Sequence, residues 1–342
     1  MKKIGIFGTT GYAGLQLINL LTKHRFVEIA FAASNRYANK KLSSIYRQFQ
    51  GELDITLVST EEAFERISTV DLVFLALPHT ISMTLVRQII EINESIKIID
   101  LSGDFRFNDD ELYEKHYKTE HILKEELKNF TYGLPEIYRE KIKNSKYIAN
   151  PGCYPTSAIL PLYPLLKEEI ISKKNIIIDS KSGLSGTGRK ENINFLFTES
   201  TNNVYAYKTA KHRHQPEIED NLFNADILFS PHIVPSIRGI FSTIYCHLKN
   251  NVSSKEINEV FKTYYGNEKF IRLNDQIPQV NQVQRTNYCD IGYTLDHDHQ
   301  RLILYSCIDN LMKGAASQSI QNMNILFGFE EKESIDCNLF YL

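Results

Sequence analysis

The stretch Lys3-Ile4-Gly5-Ile6-Phe7-Gly8-Thr9-Thr10-Gly11-Tyr12-Ala13-Gly14 joins a short apolar run to a loop with three glycines. A helical pattern follows at once, because leucine and isoleucine recur at helical spacing from Leu15 to about His24. A strand, a glycine loop and a helix in this order are typical of a unit that holds a dinucleotide pyrophosphate at the helix N-terminus. The spacing is GxxGxxG rather than GxGxxG, but its place directly after a first strand favours a binding loop over a plain glycine-rich turn.

The second predicted strand, Val27–Ala33, indicates which dinucleotide this loop would bind. In NAD-binding folds this strand usually ends in Asp or Glu, which bonds the ribose hydroxyls. Here it ends in Ser34-Asn35-Arg36, and the nearby acid Glu28 lies at the wrong end. A hydroxyl and a guanidinium suit a 2′-phosphate, so the sequence favours NADP(H) over NAD(H), with a solvated Arg36 as the alternative.

The alternation of strands and helices continues through the N-terminal half. Asp71–Leu77 and Ile96–Leu101 are near-continuous apolar runs, typical of parallel strands covered on both faces, and Ser82–Ile92 is predicted as a helix between them. Residues 107–146 are charged and aromatic, and we expect surface helices there that cover the sheet edge. Ligands of open α/β sheets bind at the carboxyl ends of strands. The side chains that this rule places near a ligand are Pro78, His79, Ser102 and Arg106.

One of the five cysteines stands in the tight turn Asn150-Pro151-Gly152-Cys153-Tyr154-Pro155-Thr156, ahead of a helix-like run at Ser157–Ile170. Pro151 fixes one backbone dihedral and Gly152 widens the allowed conformations, so the turn is able to place the sulfur at a helix N-terminus. There the helix dipole and the N–H groups favour a thiolate and would also stabilise an oxyanion. The sequence therefore predicts that Cys153 is a nucleophile, against the alternative of a buried structural cysteine.

Two segments of the C-terminal half bear on this cysteine. SGLSGTGR at 182–189 follows a strand-like run, and its glycines and arginine indicate a second loop that handles an anion. KHRHQPEI at 211–218 holds His212 and His214, whose spacing is poor for a metal site and plausible for a base. Either imidazole is a candidate partner of the sulfur, and two surface histidines before a helix are the alternative.

The rest of the chain predicts a second domain of α+β type, because its strands and helices follow an order unlike the first half. Asp296-His297-Asp298-His299 lies between two strand-like runs, so a polar hairpin turn is favoured over a metal cluster. Asn310–Phe327 is predicted as a helix that returns to the N-terminal domain. We expect an NADP-binding domain at 1–149 and 310–342, and a catalytic and oligomerisation domain at 150–309. The remaining predicted elements are the strands Asn175–Lys181, Gly239–His247, Tyr288–Leu295 and Arg301–Ile308 and the helix Val252–Tyr264.

Composition excludes several classes of protein. Among 342 residues, 39 Lys and Arg balance 41 Asp and Glu without a long run of either sign, which gives no support for nucleic-acid binding. No apolar run approaches the length of a membrane span, and Met1-Lys2-Lys3 leads straight into a strand without a signal or transit peptide. Five cysteines without CxxC pairs indicate reduced thiols. We expect a cytoplasmic globular protein with no nucleic-acid or membrane partner.

These motifs together resemble the N-acetyl-gamma-glutamyl-phosphate reductase family of arginine biosynthesis, a relative of aspartate-semialdehyde dehydrogenase. They come in the family's order and span nearly the whole chain. The blocks that carry the resemblance are GTTGYAG at 8–14, FLALPH at 74–79, DLSGDFR at 100–106, YGLPE at 132–136, NPGCYPT at 150–156, SGLSGTGR at 182–189, HRHQPEI at 212–218, VPSIRGI at 234–240, NLMKGAASQSIQNMN at 310–324 and FGFEE at 327–331.

The resemblance implies a Rossmann-type NADP-binding domain and an α+β catalytic and dimerisation domain of the semialdehyde dehydrogenase type. It implies reduction of N-acetyl-gamma-glutamyl phosphate by NADPH to the semialdehyde and phosphate, in a homo-oligomer (dimer or tetramer) without a metal. Cys153 would form a thioester and His212 would be the acid–base group. The implied substrate neighbours are Arg106, Ser182, Gly183, Arg189 and His214. The implied cofactor neighbours are Gly8, Thr10, Gly11, Tyr12, Gly14, Ser34, Arg36, Pro78 and Asn310.

The chain departs from the family pattern at Gly103, where Ala is common, and at Met312, where Gly is common. Three other functions stay open on the sequence. In the first, the substrate is the shorter acyl phosphate of aspartate-semialdehyde dehydrogenase. In the second, it is an aminoadipyl or glutamyl phosphate held by a carrier protein. In the third, the chain is a non-catalytic NADPH sensor in which Cys153 is unreactive.

Overall fold

The computed structural model describes residues 1–189, 193–296, 298 and 300–336. This part of the chain divides into two compact units, Met1–Pro151 with Ala316–Asp336, and Gly152–Ala315. The predicted domain boundaries differ from these divisions by two residues (149 against 151) and by six (309 against 315). No helix within the described ranges is both long and apolar enough to cross a lipid bilayer.

The first unit is built on a six-stranded sheet. Its strands are β1 Lys2–Phe7, β2 Val27–Ala33, β3 Leu72–Leu75, β4 Lys97–Asp100, β5 Phe130–Tyr132 and β6 Tyr147–Ala149. They lie in the order β2-β1-β3-β4-β6-β5, and every neighbouring pair is parallel. The four residues of β3 are all fully buried, as expected of a parallel strand covered on both faces. The predicted Rossmann-type sheet is confirmed.

Helices follow most of these strands. They are α1 Tyr12–Leu21, α2 Leu42–Ile45, α3 Thr60–Glu65, α4 Ser82–Ile92, α5 Asp110–Tyr117 and α6 Pro135–Lys143. Short 3-10 helices lie at Asn35–Tyr37, Arg47–Phe49, Ile67–Thr69 and Glu125–Asn129. Local side chains determine two of these helix starts: Ser59 and Glu62 form a capping box on α3, and Pro135 is the first residue of α6.

The prediction that residues 107–146 form only surface helices was wrong in one respect. The segment contains α5 and α6, but it also contains the edge strand β5. Three residues are too few for an alternating pattern to appear in the sequence. Parallel pairing with β6, which follows it in the chain, is what makes this short run a strand.

The second unit is built on a seven-stranded mixed sheet. Its strands are β7 Ile176–Ser182, β8 Tyr205–Ala206, β9 Ile227–Ile233, β10 Ile240–His247, β11 Ile271–Leu273, β12 Cys289–Asp296 and β13 Arg301–Ile308. They lie in the order β11-β12-β13-β10-β7-β9-β8. The β11/β12 and β7/β9 pairs are parallel and the other pairs are antiparallel. The predicted α+β second domain is confirmed. Of the turn predicted at 296–299, His297 and His299 lie outside the described residues.

The helices of this unit begin with the one that carries the cysteine. They are α7 Cys153–Lys167, α8 Phe197–Ser200, α9 His214–Asn221 and α10 Ser254–Tyr265, with 3-10 helices at Leu184–Thr187, Ile193–Phe195 and Val280–Gln282. The helix predicted at Ser157–Ile170 therefore starts four residues earlier, at Cys153. Pro155 does not prevent this start, because the first turn of a helix has no internal partners for its N–H groups.

The last helix, α11 Ala316–Phe327, lies in the first unit and is buried along nearly its whole length. The predicted start at Asn310 was wrong, because residues 310–315 form turns. The carboxylate of Asp309 accepts the N–H groups of Leu311 and Met312, and Gly314 is a poor helix former. The helix begins only where these local bonds end.

Candidate active site

The glycine loop between β1 and α1 requires glycine at two of its three positions. Gly8 has φ +78°, and a Cβ there would lie 2.2 Å from the carbonyl oxygen of Ala76. A Cβ on Gly14 would lie 2.4 Å from the carbonyl oxygen of Gly8, so the missing side chain lets α1 approach the loop. Gly11, the N-cap of α1, has φ −76°, and the nearest atom to its Cβ would be 3.6 Å away. Nothing in the described protein therefore requires glycine at position 11, whereas a backbone that must approach a pyrophosphate does.

The end of β2 places a hydroxyl and a cation where a dinucleotide ribose binds in this kind of fold. Ser34 is buried, and its Oγ lies 3.1 Å from the Oγ1 of Thr10 in the glycine loop. Arg36 is exposed, with its guanidinium over the ring of Tyr37 at 5.5 Å. The first carboxylate in the sequence after β2 is that of Glu52, 19 residues after the last residue of the strand (52 − 33). The arrangement fits a phosphorylated ribose better than a free diol.

The remaining predicted cofactor neighbours have different surroundings. Tyr12, at the start of α1, is 38% exposed, and Pro78, after β3, is also exposed. Asn310 lies in the second unit, where its Oδ1 accepts the N–H of Gly239 and its Nδ2 donates to the Oγ of Ser185. Among the cofactor candidates, only Asn310 forms hydrogen bonds to loops of the second sheet in the described part of the chain.

Arg106 is buried within the first unit and is bonded to the main chain. Its Nε donates to the carbonyl oxygen of Asn150 at 2.9 Å, and its Nη2 donates to the carbonyl oxygen of Leu101 at 2.9 Å. The guanidinium therefore fixes the loop after β4 to the residue before Pro151.

Two buried carboxyl groups that the sequence did not single out are Asp100, at the end of β4, and Asp104, in the loop after it. Ser102 Oγ donates to Asp100 Oδ2 at 2.6 Å and accepts the N–H of Asp104 at 3.1 Å. Asp104 in turn accepts the N–H groups of Thr80 and Met83 at the start of α4. Burial, and then the charge of Asp104, raise the pKa of Asp100 to about 7. The residues are visible in DLSGDFR, but their burial is not.

Cys153 occupies the first position of α7, as its Pro-Gly turn predicted. Gly152 is the N-cap in an extended conformation, and its N–H donates to Glu217 Oε1 at 2.8 Å. The cysteine is half-buried, and a Cβ on Gly314 would lie 2.8 Å from the Cβ of Cys153. Glu217 is fully buried in the first turn of α9, so this one hydrogen bond joins the starts of two helices. This contact is not visible in the sequence, apart from the place of Glu217 in HRHQPEI.

Glu217→Ala is expected to lower kcat about 10- to 100-fold, because it leaves the buried Gly152 N–H without its acceptor and releases the turn that carries Cys153. Glu217→Gln keeps a carbonyl oxygen at the same place and is expected to retain most of the activity. The measurements are kcat, Tm and the rate of Cys153 alkylation, with the exposed Asp220→Asn on the same helix as control. An equal loss of kcat in the Ala and Gln variants would show that the charge of Glu217, and not its hydrogen bond to Gly152, supports the activity.

The two histidines of HRHQPEI lie together in the second unit. His212 and His214 are both buried, with ring centroids 4.8 Å apart, and both rings pack edge-on against Tyr154, the residue after Cys153. His212 Nδ1 accepts the N–H of His214 at 3.1 Å, so the neutral ring carries its proton on Nε2. Burial, followed by the charges of Arg213 and Lys208, lowers the pKa of His212 to about 3. The ring is therefore a neutral Nε2–H donor at working pH.

A pair of tyrosines completes the surroundings of the cysteine, and sequence reasoning missed both. Tyr207 Oη donates to Tyr154 Oη at 3.2 Å. Burial raises the pKa of Tyr207 to about 12 and that of Tyr154 well above its ordinary value, and the charge of Cys153 contributes in both cases. Ser182 opposes the rise in the pKa of Tyr154. These hydroxyls stay protonated and serve as hydrogen-bond donors.

The loop after β7 holds the other predicted substrate neighbours. Ser182 Oγ donates to the carbonyl oxygen of Gly183, and a Cβ on Gly183 would lie 2.7 Å from the backbone nitrogen of Arg238. Arg189 is exposed at the end of the loop, just before residues 190–192, which lie outside the description. The second unit thus brings Cys153, His212, His214 and Ser182 together around Tyr154.

Comparisons with known proteins identify the two domains and the family. Residues 3–145 match a family model described as the semialdehyde dehydrogenase NAD binding domain, and residues 153–310 match one described as the semialdehyde dehydrogenase dimerisation domain. The chain is 44% identical over 341 residues to an N-acetyl-gamma-glutamyl-phosphate reductase of Clostridium novyi (strain NT), with 98% of each chain covered. It is also 44% identical over 342 residues to the protein of that name from Methanocaldococcus jannaschii, with the same coverage.

Solved structures extend the likeness at the level of the fold. Aspartate semialdehyde dehydrogenase II from Vibrio cholerae superposes with a TM-score of 0.74 at 18% identity, over 96% of this chain and 98% of that one. The aspartate semialdehyde dehydrogenase with NADP from Candida albicans superposes with a TM-score of 0.72 at 18% identity, over 96% of this chain and 99% of that one.

Proposed function

The chain belongs to the N-acetyl-gamma-glutamyl-phosphate reductase family of arginine biosynthesis, and on that premise we propose that it reduces N-acetyl-gamma-glutamyl phosphate through a thioester on Cys153. The observation that carries the thioester is the place of Cys153 at the first position of α7, where helix N–H groups and the dipole stabilise a thiolate. A thioester is a good hydride acceptor, whereas a free carboxylate is not.

Each candidate residue of the second unit has a separate role in the proposed reaction. The Cys153 thiolate attacks the acyl carbon, a C–S bond forms, and the C–O bond to phosphate breaks as phosphate leaves with the electron pair. The Nε2–H of His212, the acid–base group, donates to the oxyanion of each tetrahedral adduct, and His214, Ser182 and Gly183 line the substrate. When the last adduct collapses, the aldehyde carbonyl reforms and the thiolate leaves. NADPH, when bound, supplies the hydride that the thioester accepts.

The NAD(P)-binding unit has side chains that fit NADPH. We assign the pyrophosphate to the loop Gly8, Thr10, Gly11, Tyr12 and Gly14, and the 2′-phosphate to Ser34 and Arg36, with Pro78 and Asn310 as further cofactor neighbours. The support is the space at Gly11, the Thr10–Ser34 hydroxyl contact and the missing carboxylate after β2. Arg106 and Arg189 are assigned to the substrate on the sequence motifs that contain them.

Arg36→Gln is expected to raise the KM for NADPH about 10- to 100-fold and to leave the KM for NADH within about twofold, because only NADPH carries a 2′-phosphate. Initial rates with each cofactor give both constants. Arg66→Gln, an exposed arginine of the same unit, is the control. An equal rise for both cofactors would remove Arg36 from the 2′-phosphate site.

The experiment that tests the proposed function runs the reaction in reverse. The protein is incubated with N-acetylglutamate semialdehyde, phosphate and NADP+, and the absorbance of reduced cofactor is followed. Phosphate-dependent formation of NADPH is expected. Turnover with aspartate semialdehyde but not with the acetylated substrate would favour the shorter acyl phosphate, and no turnover with either free aldehyde would favour a carrier-bound substrate or a sensor.

We propose further that the protein is a cytoplasmic homo-oligomer, a dimer or tetramer. The support is the match of residues 153–310 to a dimerisation domain. The functional domains are proposed at 1–149 with 310–342 and at 150–309. Sedimentation of the purified protein tests the oligomer directly.

A further inference from the structure

One arginine beside the two histidines has no role in the proposed mechanism. Arg213 stands between His212 and His214 and is the N-cap of α9. The residue is half-buried and its Nε is fully buried. The guanidinium makes no hydrogen bond or ion pair with any residue in the described part of the chain. A buried donor without a partner is unfavourable, so its retention points to a ligand that supplies the acceptor.

The other half-buried arginines of the described chain each have a carboxylate partner. Arg139 pairs with Glu331, Arg238 with Asp309 and Arg272 with Asp290, each with a nitrogen–oxygen distance of 2.9 Å or less. Among these side chains only Arg213 lacks a carboxylate. The segment 200–216 carries Lys208, Lys211 and Arg213 and no Asp or Glu, so the local charge is positive. Within the described residues no carboxylate supplies the missing acceptor, which favours an anionic ligand.

Electrostatics places Arg213 in the surroundings of the nucleophile. Its charge lowers the pKa of His212 and opposes the rise in the pKa of Tyr207. The charge of Cys153 raises the pKa of Tyr207, whose ring centroid lies 5.5 Å from that of His212. The cation and the sulfur therefore act on the same tyrosine.

We propose that Arg213 binds the phosphoryl group of the acyl-phosphate substrate, and inorganic phosphate in the reverse reaction. The inference rests on the proposed function, in which Cys153 attacks the acyl carbon and the adjacent phosphate leaves. The planar guanidinium presents donors that match the spacing of phosphate oxygens. Its hydrogen bonds to the departing phosphate strengthen as negative charge develops on that group. The α-carboxylate of the same substrate is the competing anion, and it lies at the far end of the molecule from the reacting carbon.

The first test measures both reverse-direction KM values in Arg213→Gln. The KM for phosphate is expected to rise on the order of 10- to 100-fold, with the KM for N-acetylglutamate semialdehyde within about twofold of the wild-type value. Arg213→Lys keeps the charge without the fork and should give a smaller rise. Lys211→Gln, an exposed cation two residues away, is the matched control and should behave as wild type.

The second test needs no turnover. Inorganic phosphate is expected to slow the alkylation of Cys153 by iodoacetate in the wild-type protein and to have little effect in Arg213→Gln. This readout separates the two proposals: without phosphate-dependent turnover in the wild type the proposed function fails, while phosphate protection that depends on Arg213 still stands.

Three outcomes would overturn the assignment of phosphate to Arg213. One is a rise confined to the aldehyde KM, which would assign the guanidinium to the carboxylate. Another is unchanged KM values for both substrates in Arg213→Gln. The third is phosphate protection that persists undiminished in that variant.

Discussion

Cys153→Ser is expected to lose at least about a thousandfold in phosphate-dependent turnover while binding NADPH with unchanged affinity. A hydroxyl at this position has a far higher pKa than a thiol, and the helix N-terminus that stabilises a thiolate is too weak to ionise it. Turnover is read from NADPH absorbance and affinity from cofactor fluorescence. In the wild type, a single-turnover reaction stopped before reduction should add the acyl group to the protein mass.

The control for this variant is another cysteine of the same unit. Cys246 on β10 is fully buried, and burial raises the pKa of its thiol, so it is unsuited to nucleophilic attack. Cys246→Ala should cost stability and leave kcat nearly unchanged. If Cys153→Ser kept more than about a thousandth of the wild-type rate, the covalent route would be wrong.

Gly8→Ala is expected to destabilise the first unit by roughly 3 kcal/mol or more and to remove measurable NADPH binding. The new methyl group would meet the carbonyl oxygen of Ala76 at 2.2 Å, in a backbone conformation with φ +78° that alanine rarely adopts. Thermal unfolding and cofactor titration measure the two effects.

Gly11→Ala is the matched control, because it separates the fold from the ligand. Its methyl group has only the carbonyl oxygen of Gly8 nearby, at 3.6 Å, and its φ is ordinary. The free energy of unfolding should stay within about 0.5 kcal/mol of the wild-type value while NADPH affinity falls about 10-fold or more. Unchanged affinity would place the pyrophosphate away from this loop.

The sequence predicted those elements that local patterns determine. β2 and α4 have the predicted bounds, since a run of apolar and β-branched residues and a helical periodicity between clear stops are both visible locally. β5 and the start of α11 were missed because pairing with a neighbouring strand and the side chain of Asp309 decide them.

The same distinction holds for the site. A Pro-Gly turn before a helix predicted where Cys153 stands, because the signal lies within a few residues. Glu217 and Tyr207 were not found, since their hydrogen bonds to the cysteine turn span 65 and 53 residues of sequence. Arg213 was visible in HRHQPEI, but the absence of a partner for its guanidinium is a property of the packed structure.

The two-piece make-up of the first unit has a consequence during protein synthesis. When residue 151 has left the ribosome, all six strands of the parallel sheet exist, but α11, which is buried in the same unit, is still 165 residues (316 − 151) from being made. At about 5–20 residues per second, this delay is on the order of 10 to 30 seconds. The parallel sheet is therefore complete well before the last helix of its own unit exists, and residues 152–315 of the second unit are made in between.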